Sequence, residues 1–237
     1  MQALIAGNWK MHPSCPTEAA ALARAVAEKA GQGLGWVVFP PFPLLTGVHE
    51  ALAGSCVEMG GQDCSTHEAG AHTGQVSAVM LRALGCSYVL IGHSERRALG
   101  EHSAVLKAKI RRALAAGLTP VLCVGESAKE RRAGRAEAAV AAQLTECMPA
   151  DMSDEREIVV AYEPLWAIGT GAVPEIADIQ DMHSVLKGQT KGRVLYGGSV
   201  APGNAAAILA TPGVDGVLVG GASLDPSKFL AIGAAAC

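Results

Sequence analysis

The chain has 237 residues, half of them hydrophobic but only 4% aromatic, with 19 basic against 22 acidic side chains and a formal charge of -3. A core of Ala, Val, Leu and Ile in a chain of this length buries about 70–75% of the unfolded surface and suits parallel strands covered on both faces. The near-neutral balance gives no basic footprint for nucleic acid or an acidic membrane, and no apolar run approaches the roughly 20 residues of a spanning helix. The seven cysteines are odd in number and form no CxxC pair, which reads as free thiols in a reducing compartment. With no charged leader or apolar signal region ahead of residue 3, the expected location is the cytoplasm.

Short β-rich runs recur at 3–6, 36–39, 57–61, 88–91, 119–124, 157–162, 194–196 and 216–219, each closed near a Gly, Pro or polar residue. Amphipathic or alanine-rich segments at 17–30, 102–116, 135–147, 175–186, 204–210 and 226–235 predict helices between them. Eight such alternations predict parallel pairing, right-handed crossovers and closure into one (β/α)8 barrel domain over residues 1–237. The stretch 31–35 reads as a surface turn. Its glycines do not follow a strand, so it is not a dinucleotide fingerprint.

Reactive groups in such barrels gather where strands end, at the carboxyl-side mouth. Asn8 and Lys10 follow the first strand, His93 and Glu95 the fourth and Glu163 the sixth, which places groups distant in sequence around one rim. Glu163 ends an apolar strand and runs into Pro164 and a loop containing Gly169 and Gly171, as a base and its lid would be written; a strand-to-helix loop with a solvated glutamate is the other reading of Glu-Pro alone. A carboxylate near its reference pKa of about 4.3 is a weak base, so Glu163 must be desolvated when it acts. His93 is a candidate electrophile, although a lone histidine after a strand also serves structure. Lys10 offers fixed positive charge, or is a surface lysine with a solvated stem.

A dianionic phosphate needs many N–H donors, and Gly197-Gly198-Ser199 with Gly220-Gly221 follow the last two strands, where barrels commonly hold phosphate. Cys123 lies within the fifth strand with no histidine nearby in sequence and reads as a packed thiol. His67 and His72 match no usual zinc spacing, so no metal is assigned.

The run 161–171 (AYEPLWAIGTG) resembles the triosephosphate isomerase signature at every position. Further blocks follow in that family's order: 8–10 (NWK), 88–97 (YVLIGHSERR), 123–126 (CVGE), 196–200 (YGGSV) and 218–224 (LVGGASL). The resemblance spans the chain from first strand to last helix. It implies a TIM barrel that interconverts dihydroxyacetone phosphate and D-glyceraldehyde 3-phosphate, a step of glycolysis and gluconeogenesis, by proton transfer through an enediolate and without a cofactor.

Carried over residue by residue, Glu163 is the base, Asn8 donates to the substrate, and Lys10 is held by Glu95. His93 is a neutral electrophile facing the N–H groups of the turn from Ser94 onwards; this family is itself the standard instance of that pairing, so the idea is borrowed from it. Ile168 and Leu218 close over the base, and Gly169 completes a phosphate cradle with Ser199, Gly220 and Gly221. The family also implies a homodimer through loop 65–76, with Thr73 near the tip.

The chain departs from the family at His12 and Asp63, where Asn is common, at 172–174 (AVP), the far hinge of the lid, and in a short connection between Leu186 and Arg193. Two other readings stand beside this one. A different phosphate-binding barrel enzyme, such as an aldolase or epimerase, is opposed by the absence of a lysine at the end of the sixth strand. A catalytically silent binding protein is opposed by the presence of every expected reactive residue.

Overall fold

The computed structural model describes residues 2–150, 158–167 and 174–236. Eight strands, β1 (Leu4–Asn8), β2 (Gly35–Phe39), β3 (Val57–Gly61), β4 (Tyr88–Ile91), β5 (Thr119–Val124), β6 (Val159–Tyr162), β7 (Val194–Tyr196) and β8 (Gly216–Val219), pair in sequence order, all parallel. β8 returns to β1 and closes the barrel. Outside it lie α1 (Pro16–Ala27), α2 (Leu45–Leu52), α3 (Ala78–Ala83), α4 (Ser94–Ala98), α5 (Ser103–Ala115), α6 (Ala128–Arg132), α7 (Ala136–Cys147), α8 (Ile176–Lys187), α9 (Pro202–Leu209) and α10 (Pro226–Ala234). This is the (β/α)8 barrel that the alternation predicts.

Three details correct the expected spans. β1 runs over Leu4–Asn8 and not 3–6, so Asn8 is the last residue of the strand and does not follow it. Gly35 belongs to β2 and not to the turn before it. The charged turn expected after His93 is a short helix, α4. The helices α2, α3, α4 and α6 have no counterpart in the expected set, because segments of five to eight residues show barely two turns of apolar period. Local caps betray two of them: Ser77 accepts from Met80 N at the start of α3, and Ser127 with Glu130 forms a capping box on α6.

Side chains alternate along each strand, and the closed sheet turns that alternation into two cores. Leu4, Ala6, Val37, Phe39, Leu90, Val121, Cys123, Val159, Ala161, Leu195 and Leu218 fill the barrel. Ile5, Trp36, Val38, Val89, Ile91, Leu122, Val124, Val160 and Tyr162 face the helices and pack against residues such as Val26, Leu106, Leu144, Leu186 and Phe229. The interior set is small and branched because eight strands leave room for side chains and little else.

A cluster of charges is partly buried beside the barrel. Lys109 on α5 donates to Asp63 at 2.6 Å and to Glu101 at 2.7 Å, and Arg96 joins both carboxylates, at 3.0 Å to Asp63. The departure at Asp63 thus balances two cations with two anions. Burial pushes the Asp63 carboxyl above its usual value, against the pull of Lys109.

His183 on α8 is fully buried between Tyr162 and Tyr196, with ring centroids 6.1 and 6.5 Å away, and its Nδ1 lies 3.0 Å from Gly213 O. Burial lowers its pKa from 6.5 to about 4. The native state therefore refuses a proton that the unfolded chain accepts, so stability present above pH 6.5 is lost as pH falls toward 4. Between pH 7 and 4.5 this amounts to roughly 2–3 kcal/mol. His183→Asn keeps a donor for Gly213 O but does not titrate, so its unfolding free energy should fall by that much less than the parent's over the same range. Identical pH slopes in denaturant titrations would refute the assignment.

Candidate active site

The alternation that fills the barrel also aims its mouth. Val159 and Ala161 point inward on β6, so the next residue of that parity, Glu163, points over the barrel axis; Leu4 and Ala6 do the same for Asn8. Glu163 is 2% exposed. Its Oε2 accepts from Ser94 N at 2.9 Å and its Oε1 lies 3.1 Å from His93 Nε2. Loss of water pushes its carboxyl above the usual value, with the His93 ring and the Ser94 N–H pulling the other way. The structure thus supplies the desolvation that a carboxylate base requires.

His93 reaches this position because Gly92 adopts φ +69°, which breaks the strand's alternation at the end of β4. The histidine caps α4, and its Nδ1 accepts from Glu95 N at 3.3 Å, leaving Nε2 to donate toward the carboxylate. Of the turn's backbone N–H groups only that of Glu95 meets the ring; that of Ser94 serves Glu163, and those of Arg96 and Arg97 bond His93 O.

Lys10 also sits at positive φ, 53°, held by its own N–H on Asn8 Oδ1 at 3.0 Å. Its Nζ donates to Glu95 Oε1 at 2.6 Å. Partial burial works to raise the Glu95 carboxyl, but the bond and charge of Lys10 win and hold it below the usual value. Gln62, which the sequence reading passes over, donates to Lys10 O at 2.7 Å and to Phe39 O at 2.8 Å. Its signal was a polar residue directly after β3, the same signal that marks Glu163.

These groups open on a cavity of about 260 Å³, walled on one side by Asn8, Lys10, His93 and Glu163 and on the other by residues 197–200, Leu218, Gly220 and Gly221. The phosphate-loop candidates therefore share one space with the reactive ones. A Cβ on Gly198 would lie 2.2 Å from the Tyr196 hydroxyl, so this loop is packed down on β7. The Lys10 stem passes 3.7 Å from where a Cβ on Gly220 would stand, while its ammonium is turned to Glu95. Ile168 and Gly169, expected on the lid, lie outside the described residues, as do Ala172 and Val173 of the far hinge.

Below the mouth, Glu126 is fully buried and accepts from Tyr162 Oη at 3.1 Å and Trp166 Nε1 at 2.7 Å, with Arg131 at 3.4 Å and stacked 4.4 Å over the Trp166 ring. It fixes the first residues after Glu163. The sequence showed Glu126 only as part of a family block. Cys123 is fully buried under Glu163, and burial, with the nearby carboxylate, pushes its thiol well up, as for a packed and inert side chain. His67 and His72 stack with ring centroids 3.7 Å apart; no cluster of three or more potential metal ligands occurs among the described residues.

Residues 3–236 match the family model described as triosephosphate isomerase. The triosephosphate isomerase of Thiobacillus denitrificans is 48% identical over 97% of this chain and 96% of its own length. That of Acidiphilium cryptum is 44% identical over 100% and 99%. The crystal structure of triosephosphate isomerase from Bartonella henselae superposes with a TM-score of 0.90 at 37% identity, covering 98% of each chain. The chain belongs to the triosephosphate isomerase family. On the rim, Asn8, Lys10, His93, Glu163, Ser199, Leu218, Gly220 and Gly221 line the cavity, and Ser94 and Glu95 bond groups that do.

The raised carboxyl of Glu163 has a sign that can be tested. A group whose native pKa lies above its unfolded one contributes most below the unfolded value and loses that contribution as pH rises through the native one. Glu163→Gln should therefore unfold at a higher temperature than the parent at pH 7, with the gain shrinking toward pH 4. A melting temperature equal to the parent's or lower at pH 7 would contradict this.

Proposed function

We propose that the enzyme interconverts dihydroxyacetone phosphate and D-glyceraldehyde 3-phosphate. The observation that carries the reading is a desolvated carboxylate, Glu163, 3.1 Å from an imidazole Nε2 and sharing one cavity with Lys10 and two glycine-rich loop ends. Glu163 takes a proton from C1 of the ketone; the C–H electron pair becomes the C1–C2 double bond, and the carbonyl pair moves to oxygen. His93 Nε2–H hydrogen-bonds that oxygen as charge develops, and Lys10 and Asn8 add charge and a further donor. The enediol oxygens exchange a proton, and Glu163 returns its proton to C2, which leaves the aldehyde. The N–H groups at 197–199 and 220–221 take the phosphate. Ile168 and Leu218 covering the base, and Gly169 closing the cradle, remain part of this reading.

A homodimer through loop 65–76 belongs to the same proposal. The loop is closed at its base by Ser65 N on Val76 O at 2.8 Å and by Ser65 on Gln75. Beside it lies a cavity of about 300 Å³ lined in part by Phe42, Gln75 and Arg96. Five large hydrophobic side chains stand exposed among the described residues, and four of them, Met11 (88%), Val79, Met80 and Leu99 (76%), follow β1, β3 and β4. Apolar side chains gathered in the segments around one loop suit a second copy. No described helix is long and apolar enough to cross a membrane, and the six described cysteines are free, which supports a reducing, cytoplasmic setting.

Glu163→Gln should lower kcat by at least about 10²–10⁴-fold with the fold intact, the contribution of a positioned base. A folded variant within tenfold of the parent in a coupled assay with chelator present would overturn the reaction assignment. Light scattering should give twice the mass of the chain; a monomer with full activity at micromolar concentration would overturn the dimer.

A further inference from the structure

Residues 124–126, at the exit of β5, form an extended bridge with both edges occupied. Toward β6, Val124 O accepts from Glu163 N at 2.7 Å and Glu126 O accepts from Leu165 N at 3.2 Å. An extended residue turns its own N–H and C=O to one edge and its neighbours' to the other, so Gly125 faces away from β6. On that side stands Gln143 of α7, one residue before the buried Leu144. Its Nε2 donates to Gly125 O at 2.8 Å and its Oε1 accepts from Gly125 N at 3.0 Å. One primary amide thus satisfies both polar groups of the residue, as a neighbouring strand would.

Gly125 is also the floor under the base. A Cβ built there would fall 1.7 Å from Glu163 O and 2.7 Å from Glu163 C, so the backbone of Glu163 rests directly on this residue. Gly125 cannot shift without moving Glu163 or opening the contact. Gln143 itself is no part of the cavity wall.

We propose that Gln143 is a positioning residue for the isomerisation: by holding the Gly125 peptide at both ends it fixes the backbone from which Glu163 presents its carboxylate. The inference rests on the reading of Glu163 as the base. In the structure that carboxylate is bound to Ser94 N and His93 Nε2, so to reach a substrate carbon it must leave at least one of them. A fixed backbone restricts the excursion to side-chain torsions. Near-attack geometry tolerates little else, because a displacement of about 1 Å can cost about 10²-fold in rate.

The test uses Gln143→Met and Gln143→Glu in the full-length protein, with kcat, KM and the inhibition constant of inorganic phosphate measured for each. Gln143→Met should lower kcat about 10–100-fold while KM and the phosphate constant stay within about twofold, since the phosphate loops follow β7 and β8. Gln143→Glu accepts from Gly125 N but, ionised, cannot donate to Gly125 O. Its kcat relative to the parent at the same pH should be low at neutral pH and recover as the new carboxyl protonates and regains a donor.

A merely structural glutamine would shift the melting temperature and leave these ratios alone. A folded Gln143→Met with kcat within twofold of the parent would overturn the proposal. If that variant does not fold, a Gln143→Glu ratio that is flat with pH overturns it. Glu163→Gln run in parallel separates the two readings: retained kcat there removes the base assignment, whereas lost kcat there with unaffected Gln143 variants removes only the clamp.

Discussion

A carboxylate shut away from water is unfavourable by an amount on the order of several kcal/mol unless hydrogen bonds and opposite charge offset it. Glu163 is in that position, and the two groups that offset it, Ser94 N–H and His93 Nε2, come from a different strand end 69 and 70 residues earlier. The compensation is incomplete, since the carboxyl still lies above its usual value. Incomplete compensation is what a base needs: a fully satisfied carboxylate would hold its charge too comfortably to accept a proton. The β4 exit must therefore bring its donors close without surrounding the oxygens, and the abrupt turn at Gly92 followed at once by α4 does that.

The same constraint explains the close packing of backbone at the mouth. Glu163 N is pinned to Val124 O, its carbonyl lies on Gly125, and the residues after it are tied to Glu126 through backbone and indole. Glu163 is held by main chain on the β5 side and offered partners by main chain and imidazole on the β4 side. The torsions of one short side chain are the freedom left to it. A rigid scaffold with a single mobile group is the arrangement that the proposed proton transfer between neighbouring carbons asks for.

The barrel was legible because eight apolar runs of strand length each end at a punctuating residue, and five of them, 57–61, 88–91, 119–124, 194–196 and 216–219, have the observed bounds. Asn8, Lys10, His93 and Glu163 were legible for a related reason: chemistry-bearing side chains at or just beyond the ends of apolar strands stand out against the pattern. What escaped were bonds between a side chain and a distant backbone. Gln62 to Lys10 O spans 52 residues and Gln143 to Gly125 spans 18; the place of Gln62 after β3 marks the residue but not its partner, and Gln143 leaves no periodic trace. Ser94 was read for its place in the turn, but that its N–H serves the carboxylate depends on how far β4 and β6 end from each other around the rim. Short helices such as α4 and α6 are set by caps and tertiary packing, which a window of apolar periodicity averages away.

Lys10 shows how the mouth changes character when it fills. Its partner Glu95 is 59% exposed, so in the open cavity the pair is screened by water and worth little as energy; its effect is to aim the ammonium. Asn8 Oδ1 on Lys10 N and Gln62 on Lys10 O hold the lysine backbone, so the cation cannot follow its partner outward. A dianionic substrate that displaces water from the cavity lowers the local dielectric and strengthens each remaining charge interaction there. On the proposed reading, the ammonium would then act on an anion held in the cavity more strongly than on its exposed counter-ion. A weak, solvated ion pair in the empty site would thereby give way to a strong electrostatic contact with the anion that fills it.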